Sequence, residues 1–375
     1  AKLSAPTASR SRAMSRRLFE ALSLGGLALK NRIVMAPMTR TRADEGAVPN
    51  KLMVEYYGQR SNAGLIITEC TAISSTANAY YGAPGVFTDK QVEGWKQVTD
   101  AVHRNGGLIF LQIWHAGRAS HSLFQPDKHP PIAPSALLIE NDQIHTPEGK
   151  KDFETPRALE ASEIPGIVAD FQSASKRAQE AGFDGVEVHG ANGYLIDQFL
   201  QSRSNQRTDE YGGSVEKRTR FLLEVTKAVA SEWPAGRVGV RLSPNSPFNG
   251  MGAADLHEQF SHVLRELARF DLAYVHLVDA SFGPFHGQGT PFNIADARKH
   301  YPGRLIVNFG YTEATAEAAL AAGNADLVSF GRPFISNPDF ADRVKNGWPL
   351  APEPSMAVWY GRTAEGYTDF PAHKA

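Results

Sequence analysis

One cysteine, Cys70, stands in 375 residues. A single thiol cannot close an internal disulfide, so a stapled secreted scaffold is excluded. No apolar run approaches the roughly 18 residues that a membrane-spanning helix needs, and the stretch 108–114 is interrupted by Gln112. Neither sign of charge is in excess. The 39 Lys and Arg face 40 Asp and Glu, a formal net charge of −1, which argues against a dedicated nucleic-acid binder. The sequence has no GxGxxG, no HExxH, no paired CxxC and no EF-hand loop. His115, His121 and His129 lack ligand spacing, so no metal is expected. These absences leave a globular chain of a reducing compartment, 42% hydrophobic and long enough for a large core.

The near-zero net charge hides an uneven distribution. Residues 1–17 carry Lys2, Arg10, Arg12, Arg16 and Arg17 and no acid, leaving 34 basic against 40 acidic residues in the remainder. This Ser- and Arg-rich start reads either as the remnant of an organelle transit sequence or as a disordered basic tail. It is set apart from a single folded unit over 18–375. The expected location is the cytoplasm, with a plastid or mitochondrion as the alternative.

From residue 32 onward, short apolar, β-branched runs recur at 32–38, 65–70, 108–115, 185–190, 238–243, 274–280, 304–310 and 327–332. Near-continuous apolar runs of this length read as parallel strands buried on both faces. Amphipathic stretches with helical spacing lie between several of them, at 91–105, 163–181, 215–232, 254–270 and 312–322. Gly106, Gly182 and Gly323 follow three of these as C-cap signals. Eight strands alternating with helices predict an α/β fold, a (β/α)8 TIM barrel. A doubly wound sheet is the rival, disfavoured by the eight units and the missing GxGxxG. Two segments fall outside the repeat. Residues 19–30 alternate around Gly25-Gly26 as a hairpin expected to plug the barrel bottom. Residues 116–160, rich in Pro, His and Asp, form a long insertion after strand 3, expected to cap the mouth.

In such a barrel, functional residues lie at the C-terminal ends of the strands. Those ends carry Ala36-Pro37-Met38-Thr39, Glu69-Cys70-Thr71, Gln112 to His115, His189 to Tyr194, Arg241, Asn308-Phe309-Gly310 and Gly331-Arg332. An amide, an imidazole, a phenol, cations and Gly-bearing turns are thus brought to one rim.

The motifs NRIVMAPMTR, LQIWHAGR, GVEVHGANGYLIDQFLQSRSNQRTDEYGGS, RLSP, SFGRPFISNPD and YGRTAEGYTDFP, spread over residues 17–371, resemble the Old Yellow Enzyme family of flavin-dependent ene-reductases. The resemblance implies FMN held non-covalently at the barrel mouth. Its phosphate would sit at Asn308, Phe309, Gly310, Gly331 and Arg332. Arg241 would face the N1 and O2 edge, where reduced flavin carries negative charge, and Gln112 the pyrimidine edge. Thr39, with the backbone of Ala36, Pro37 and Met38, would reach O4 and N5. Cys70 falls where relatives carry a small residue beside the flavin, and Tyr360 belongs to the aromatic wall. His189 and Asn192 would hold a carbonyl or nitro oxygen, and Tyr194 would protonate the α-carbon while hydride leaves FMN N5 for the β-carbon. Solvent can stand in for that phenol. Tyr80, Trp114 and Phe248 would complete the substrate wall. NADPH and an electrophilic alkene would use the same face in turn, by ping-pong kinetics. A monomer or homodimer with no nucleic-acid or membrane partner is expected. The alternatives are an FMN barrel of another reaction class, dienoyl-CoA reductase-like, and a catalytically silent flavin-binding protein.

Overall fold

Eight strands are too apolar on both faces to meet water, and they solve this by closing on themselves. In the computed structural model, which describes residues 16–279 and 283–374, the strands are β1 (Ile33–Met35), β2 (Leu65–Ile67), β3 (Ile109–Trp114), β4 (Gly185–Gly190), β5 (Val238–Leu242), β6 (Tyr274–Val278), β7 (Leu305–Asn308) and β8 (Leu327–Phe330). Each pairs in parallel with its sequence neighbour, and β8 returns to β1, so the sheet has no free edge. The eight are buried over their whole length apart from the half-buried Val278 at the end of β6. The result is the expected (β/α)8 barrel.

Helices form the outer layer where amphipathic spacing and caps coincide. Asp89–Arg104 starts at a capping box between Thr88 and Gln91 and buries Val92, Trp95, Val98 and Val102. Ile164–Glu180, Val215–Ala230, Leu256–Leu267 and Glu313–Ala321 fall inside the predicted spans. Lys51–Gln59 and Ile294–His300 have no sequence counterpart in that list, being only nine and seven residues long, too short for a repeated stripe.

The hairpin is present as Leu22–Leu24 against Leu27–Leu29. Its Leu22, Leu24 and Leu29 join Val34, Leu65, Ile67, Phe110, Tyr274, Ile306 and Leu327 in one apolar cluster, so the hairpin stoppers the end of the barrel where the strands begin. The insertion holds a small hairpin, Gln143–Thr146 with Gly149–Asp152, and a two-residue pairing of Ile132–Ala133 with Arg157–Ala158. The basic tail and its transit reading concern residues 1–15, outside the described residues. Arg16 and Arg17, the last two residues of the basic segment 1–17, lie among the described residues and contact the body. Arg16 donates to the carbonyls of Val344 and Lys345 and pairs with Glu313, while the amides of Arg17 and Leu18 donate to the Glu317 carboxylate at 2.9 and 3.2 Å. Among the described residues no helix is long and apolar enough to cross a membrane.

Candidate active site

A cavity of about 590 Å³ opens at the C-terminal ends of the strands. Parallel register decides who meets there. Gln112 lies beside Glu187 on β3 and β4, His189 beside Arg241 on β4 and β5, and Asn308 beside Ser329 on β7 and β8. Ala36, Pro37, Met38, Thr39, Cys70, Tyr80, Gln112, His189, Asn192, Tyr194, Arg241, Phe248, Asn308, Phe309, Gly310, Gly331, Arg332 and Tyr360 all line the cavity. Trp114 does not. Its indole is fully buried, stacked on Tyr80 with centroids 5.8 Å apart and met edge-on by Tyr194 at 5.3 Å. The two phenols cover it and take the wall position expected of it.

Three side chains form one polar face. The turn after β4 runs through two left-handed residues, Asn192 (φ 58°) and Gly193 (φ 71°). A Cβ on Gly193 would lie 2.6 Å from the Asn249 Cβ, so the turn requires glycine. The Asn192 amide donates to Ser243 Oγ at 2.6 Å, and its carbonyl accepts from Asn249 Nδ2 at 2.9 Å, leaving the side-chain amide for the cavity. His189 Nδ1 accepts from the Ala191 amide at 3.3 Å, so the ring proton belongs on Nε2. Burial, reinforced by Arg241, holds this imidazole well below its ordinary value, and it stays neutral. Tyr194 and Tyr80 share a hydrogen bond of 2.7 Å between their hydroxyls. Burial keeps the Tyr194 phenol well above its usual value, hence protonated. The His189 and Tyr194 rings meet edge to face at 5.0 Å.

A second set of groups at the same mouth, on the strands flanking His189 and beyond, suits an electron-rich, anionic guest. The Arg241 guanidinium is buried and donates to Asn308 Oδ1 at 2.7 Å, with its Nε left without a partner. Among the described residues no carboxylate lies within ion-pair distance of it, an arrangement that suits a negatively charged ligand. Gln112 donates to Glu187 Oε1 at 2.8 Å. Thr39 Oγ1 lies 2.9 Å from Cys70 Sγ, and burial pushes the Cys70 thiol far up, which keeps it protonated. Phe309 (φ 88°) and Gly310 (φ 74°) turn the chain sharply after β7, bringing backbone to the cavity edge. A guanidinium, an amide, a hydroxyl and two tight turns make a donor set that fits the pyrimidine edge and phosphate of FMN.

Sequence reasoning passed over the parts that support this face. Glu69, fully buried at the end of β2, accepts from the backbone amides of Arg40 and Thr41 at 3.1 and 3.3 Å and from the Tyr57 hydroxyl at 3.2 Å, pinning the chain just after Thr39. Arg40 and Arg42 reach across to the C-terminal strap. Arg40 donates to the carbonyls of Trp359 and Gly366 at 2.6 Å each, and Arg42 to those of Trp359 and Glu365 at 3.0 and 2.9 Å. Trp359 and Tyr360 are held at the cavity by these bonds. In the sequence the buried arginines stand only as Arg40, Arg42 and Arg60, close together after the first strand, and it is the fold that buries all three. Among the described residues no cluster of His, Cys, Asp and Glu is arranged to hold a metal.

Known proteins resemble the chain along nearly its whole length. The family described as NADH:flavin oxidoreductase / NADH oxidase matches residues 17–351. A putative 12-oxophytodienoate reductase 11 of Oryza sativa subsp. japonica is 40% identical over 350 residues, 93% of this chain and 95% of the relative. Chanoclavine-I aldehyde reductase of Penicillium roqueforti (strain FM164) is 41% identical over 367 residues, 94% and 96% of the two chains. Among solved structures, morphinone reductase in complex with tetrahydroNAD superposes with a TM-score of 0.89 at 46% identity, covering 95% of this chain and 98% of that one. The Old Yellow Enzyme homologue from Zymomonas mobilis gives 0.90 at 43%, covering 95% and 99%. A closed barrel, a flavin-shaped donor set at its mouth and matches along nearly the whole chain have one common explanation: this protein is an oxidoreductase of the Old Yellow Enzyme family, within the NADH:flavin oxidoreductases.

Proposed function

We propose that the protein is an FMN-dependent ene-reductase that uses NADPH to reduce the C=C bond of α,β-unsaturated carbonyl or nitro compounds by a ping-pong mechanism. The observation that carries the reading is the single polar face of His189, Asn192 and Tyr194, three neutral donors close together in the chain, lining the same cavity as Arg241, Gln112 and Thr39. Arg332, Gly331, Asn308, Phe309 and Gly310 would hold the FMN phosphate, Gln112 and Arg241 its pyrimidine edge, and Thr39 with the Ala36–Met38 backbone its O4 and N5 side. When bound, FMN supplies hydride at N5, taken from the nicotinamide and passed to the β-carbon of the alkene.

The chain's own groups do the rest. His189 Nε2–H and the Asn192 amide bind the carbonyl or nitro oxygen and stabilise the negative charge that grows on it, as donors fixed in advance at an oxyanion do. A neutral imidazole suits this task because it donates without surrendering its proton. The Tyr194 hydroxyl delivers a proton to the α-carbon, and Tyr80, bonded to it, is placed to return one. Tyr80, Phe248, Tyr360 and Trp359 form the apolar wall that orients the alkene. Nicotinamide and substrate would use this one cavity in turn. The tetrahydroNAD in the morphinone reductase structure supports a nicotinamide reading for that relative's site. The test is anaerobic: protein loaded with FMN is mixed with NADPH or NADH, then with 2-cyclohexenone, N-methylmaleimide, an oxophytodienoate or a nitroester. Bleaching by NADPH and return of the yellow colour with one or more alkenes is expected. A protein that takes up no FMN, or a flavin that NADPH fails to bleach, overturns the proposal.

A further inference from the structure

Below the cavity floor, the barrel interior holds a carboxylate that the reaction above leaves unused. Glu187 projects from the middle of β4, two residues before His189, and is fully buried. One oxygen accepts from Gln112 Nε2 at 2.8 Å, and the other from His276 Nδ1 at 2.8 Å. His276 Nε2 lies 2.8 Å from Ser329 Oγ, so a chain Gln112–Glu187–His276–Ser329 crosses the barrel from β3 to β8 with every member buried. Arg241, one strand over from Glu187 and beside both His189 and His276 in register, is the buried cation of the same layer.

We propose that Glu187 is a positioning residue for the cofactor edge: it holds the Gln112 amide in one orientation and supplies the counter-charge that limits how strongly Arg241 favours a negatively charged pyrimidine ring. The inference rests on the FMN reading above. Its chemistry follows from the donors present. With one Gln112 N–H committed to Glu187, the amide oxygen is turned away from the carboxylate and toward the cavity side. Burial alone would raise the Glu187 carboxyl, but His276, Arg241 and Gln112 outweigh it and bring the group below its ordinary value, so it is a carboxylate. Burial drives the His276 imidazole down against the pull of Glu187, and Arg241 is the permanent cation of the layer. A buried charge left without its counter-charge acts over several ångströms with little screening.

Glu187→Gln separates charge from shape. The new amide can accept from Gln112 and donate to His276 Nδ1, if the imidazole moves its proton to Nε2 and donates to Ser329. The fold and FMN binding are thus expected to survive. The measurement is the midpoint potential of the bound flavin by anaerobic dye titration, with the FMN dissociation constant by fluorescence quenching. Glu187→Gln should raise the potential, shifting the reduced-to-oxidised ratio at the wild-type midpoint at least about tenfold toward reduced flavin. Glu187→Asp keeps the charge and withdraws it by one methylene, so its potential should stay near wild type while FMN is held severalfold more weakly. A folded Glu187→Gln with an unchanged potential overturns the proposal, as does a loss of thermal stability alone. Should Glu187→Gln not fold, Glu187→Asp decides: weaker FMN binding supports the proposal, and unchanged binding and potential overturn it. Wild-type protein that binds no FMN overturns the functional reading itself, a result distinct from a variant that matches wild type.

Discussion

Tyr194 sits where a phenol can stay protonated and still reach a substrate. Its ring is buried among Trp114, His189 and Tyr80, and its hydroxyl meets that of Tyr80. Tyr194→Phe is expected to lower the rate of flavin reoxidation by 2-cyclohexenone about 10²-fold, the low end for a general acid because water can enter in its place, while flavin reduction by NADPH is unchanged. Stopped-flow measurement of the two half-reactions checks this, and equal loss in both would assign Tyr194 a structural role. His189→Ala removes a donor whose tautomer the Ala191 amide sets. It should slow reoxidation by 2-cyclohexenone about 10²–10³-fold, read as kcat/KM. Both residues stand out in the sequence, in the block after β4. The hydrogen bond between Tyr80 and Tyr194 does not, because 114 residues separate them in the chain.

The N-terminal hairpin shows how one glycine can carry an element. Gly25 (φ 55°) turns the hairpin with its backbone against Gly236, and a Cβ there would lie 1.9 Å from the Gly236 carbonyl oxygen. Arg237 Nε also donates to the Gly25 carbonyl at 2.9 Å, tying the turn to the start of β5. Gly26 (φ 81°) has open space around it. Gly26→Ala is expected to cost about 1 kcal/mol from backbone conformation alone. Gly25→Ala adds a clash with backbone and should cost about 3 kcal/mol, seen as a clearly lower melting temperature with the fold otherwise intact. Equal melting temperatures for the two variants would show that the contact is not felt. The Gly-Gly pair was readable as a turn; that only its first member is irreplaceable depends on Gly236, brought there by the barrel.

Stability of the whole molecule should depend on pH through Asp197, one turn into the helix that follows Tyr194. Its carboxyl accepts from the Gly193 amide and Gln201 Nε2 at 2.8 Å each, yet burial raises it from 3.8 to about 7. The folded state thus holds this proton more tightly than the unfolded chain does. Its contribution is fully present below about pH 4 and is lost as pH rises through about 7. Asp197→Asn abolishes the titration, so its stability relative to wild type should rise between about pH 5 and pH 8 by roughly 2–3 kcal/mol, the part of the shift from 3.8 to about 7 that falls in that window. Chemical denaturation at both pH values measures it, and a difference that does not change with pH would refute the assignment.

The order of the strands, five of the outer helices, the plug and the strand-end residues were legible in the sequence, because burial on both faces forces near-continuous apolar runs and turns demand glycine. Glu187 and His276 were visible only as polar residues inside such runs, and Glu69 only as an acid at a strand end. Their partners come from strands and loops far apart in the chain. Trp114 was placed on the wall by its position, and the structure puts two tyrosine rings over it. Local pattern decides what a segment becomes, since backbone conformation and burial act over a few residues. Which buried charges meet, which donor points into the cavity and which ring forms its surface are set when the barrel closes, because hydrogen bonds and packing depend on neighbours that only closure supplies.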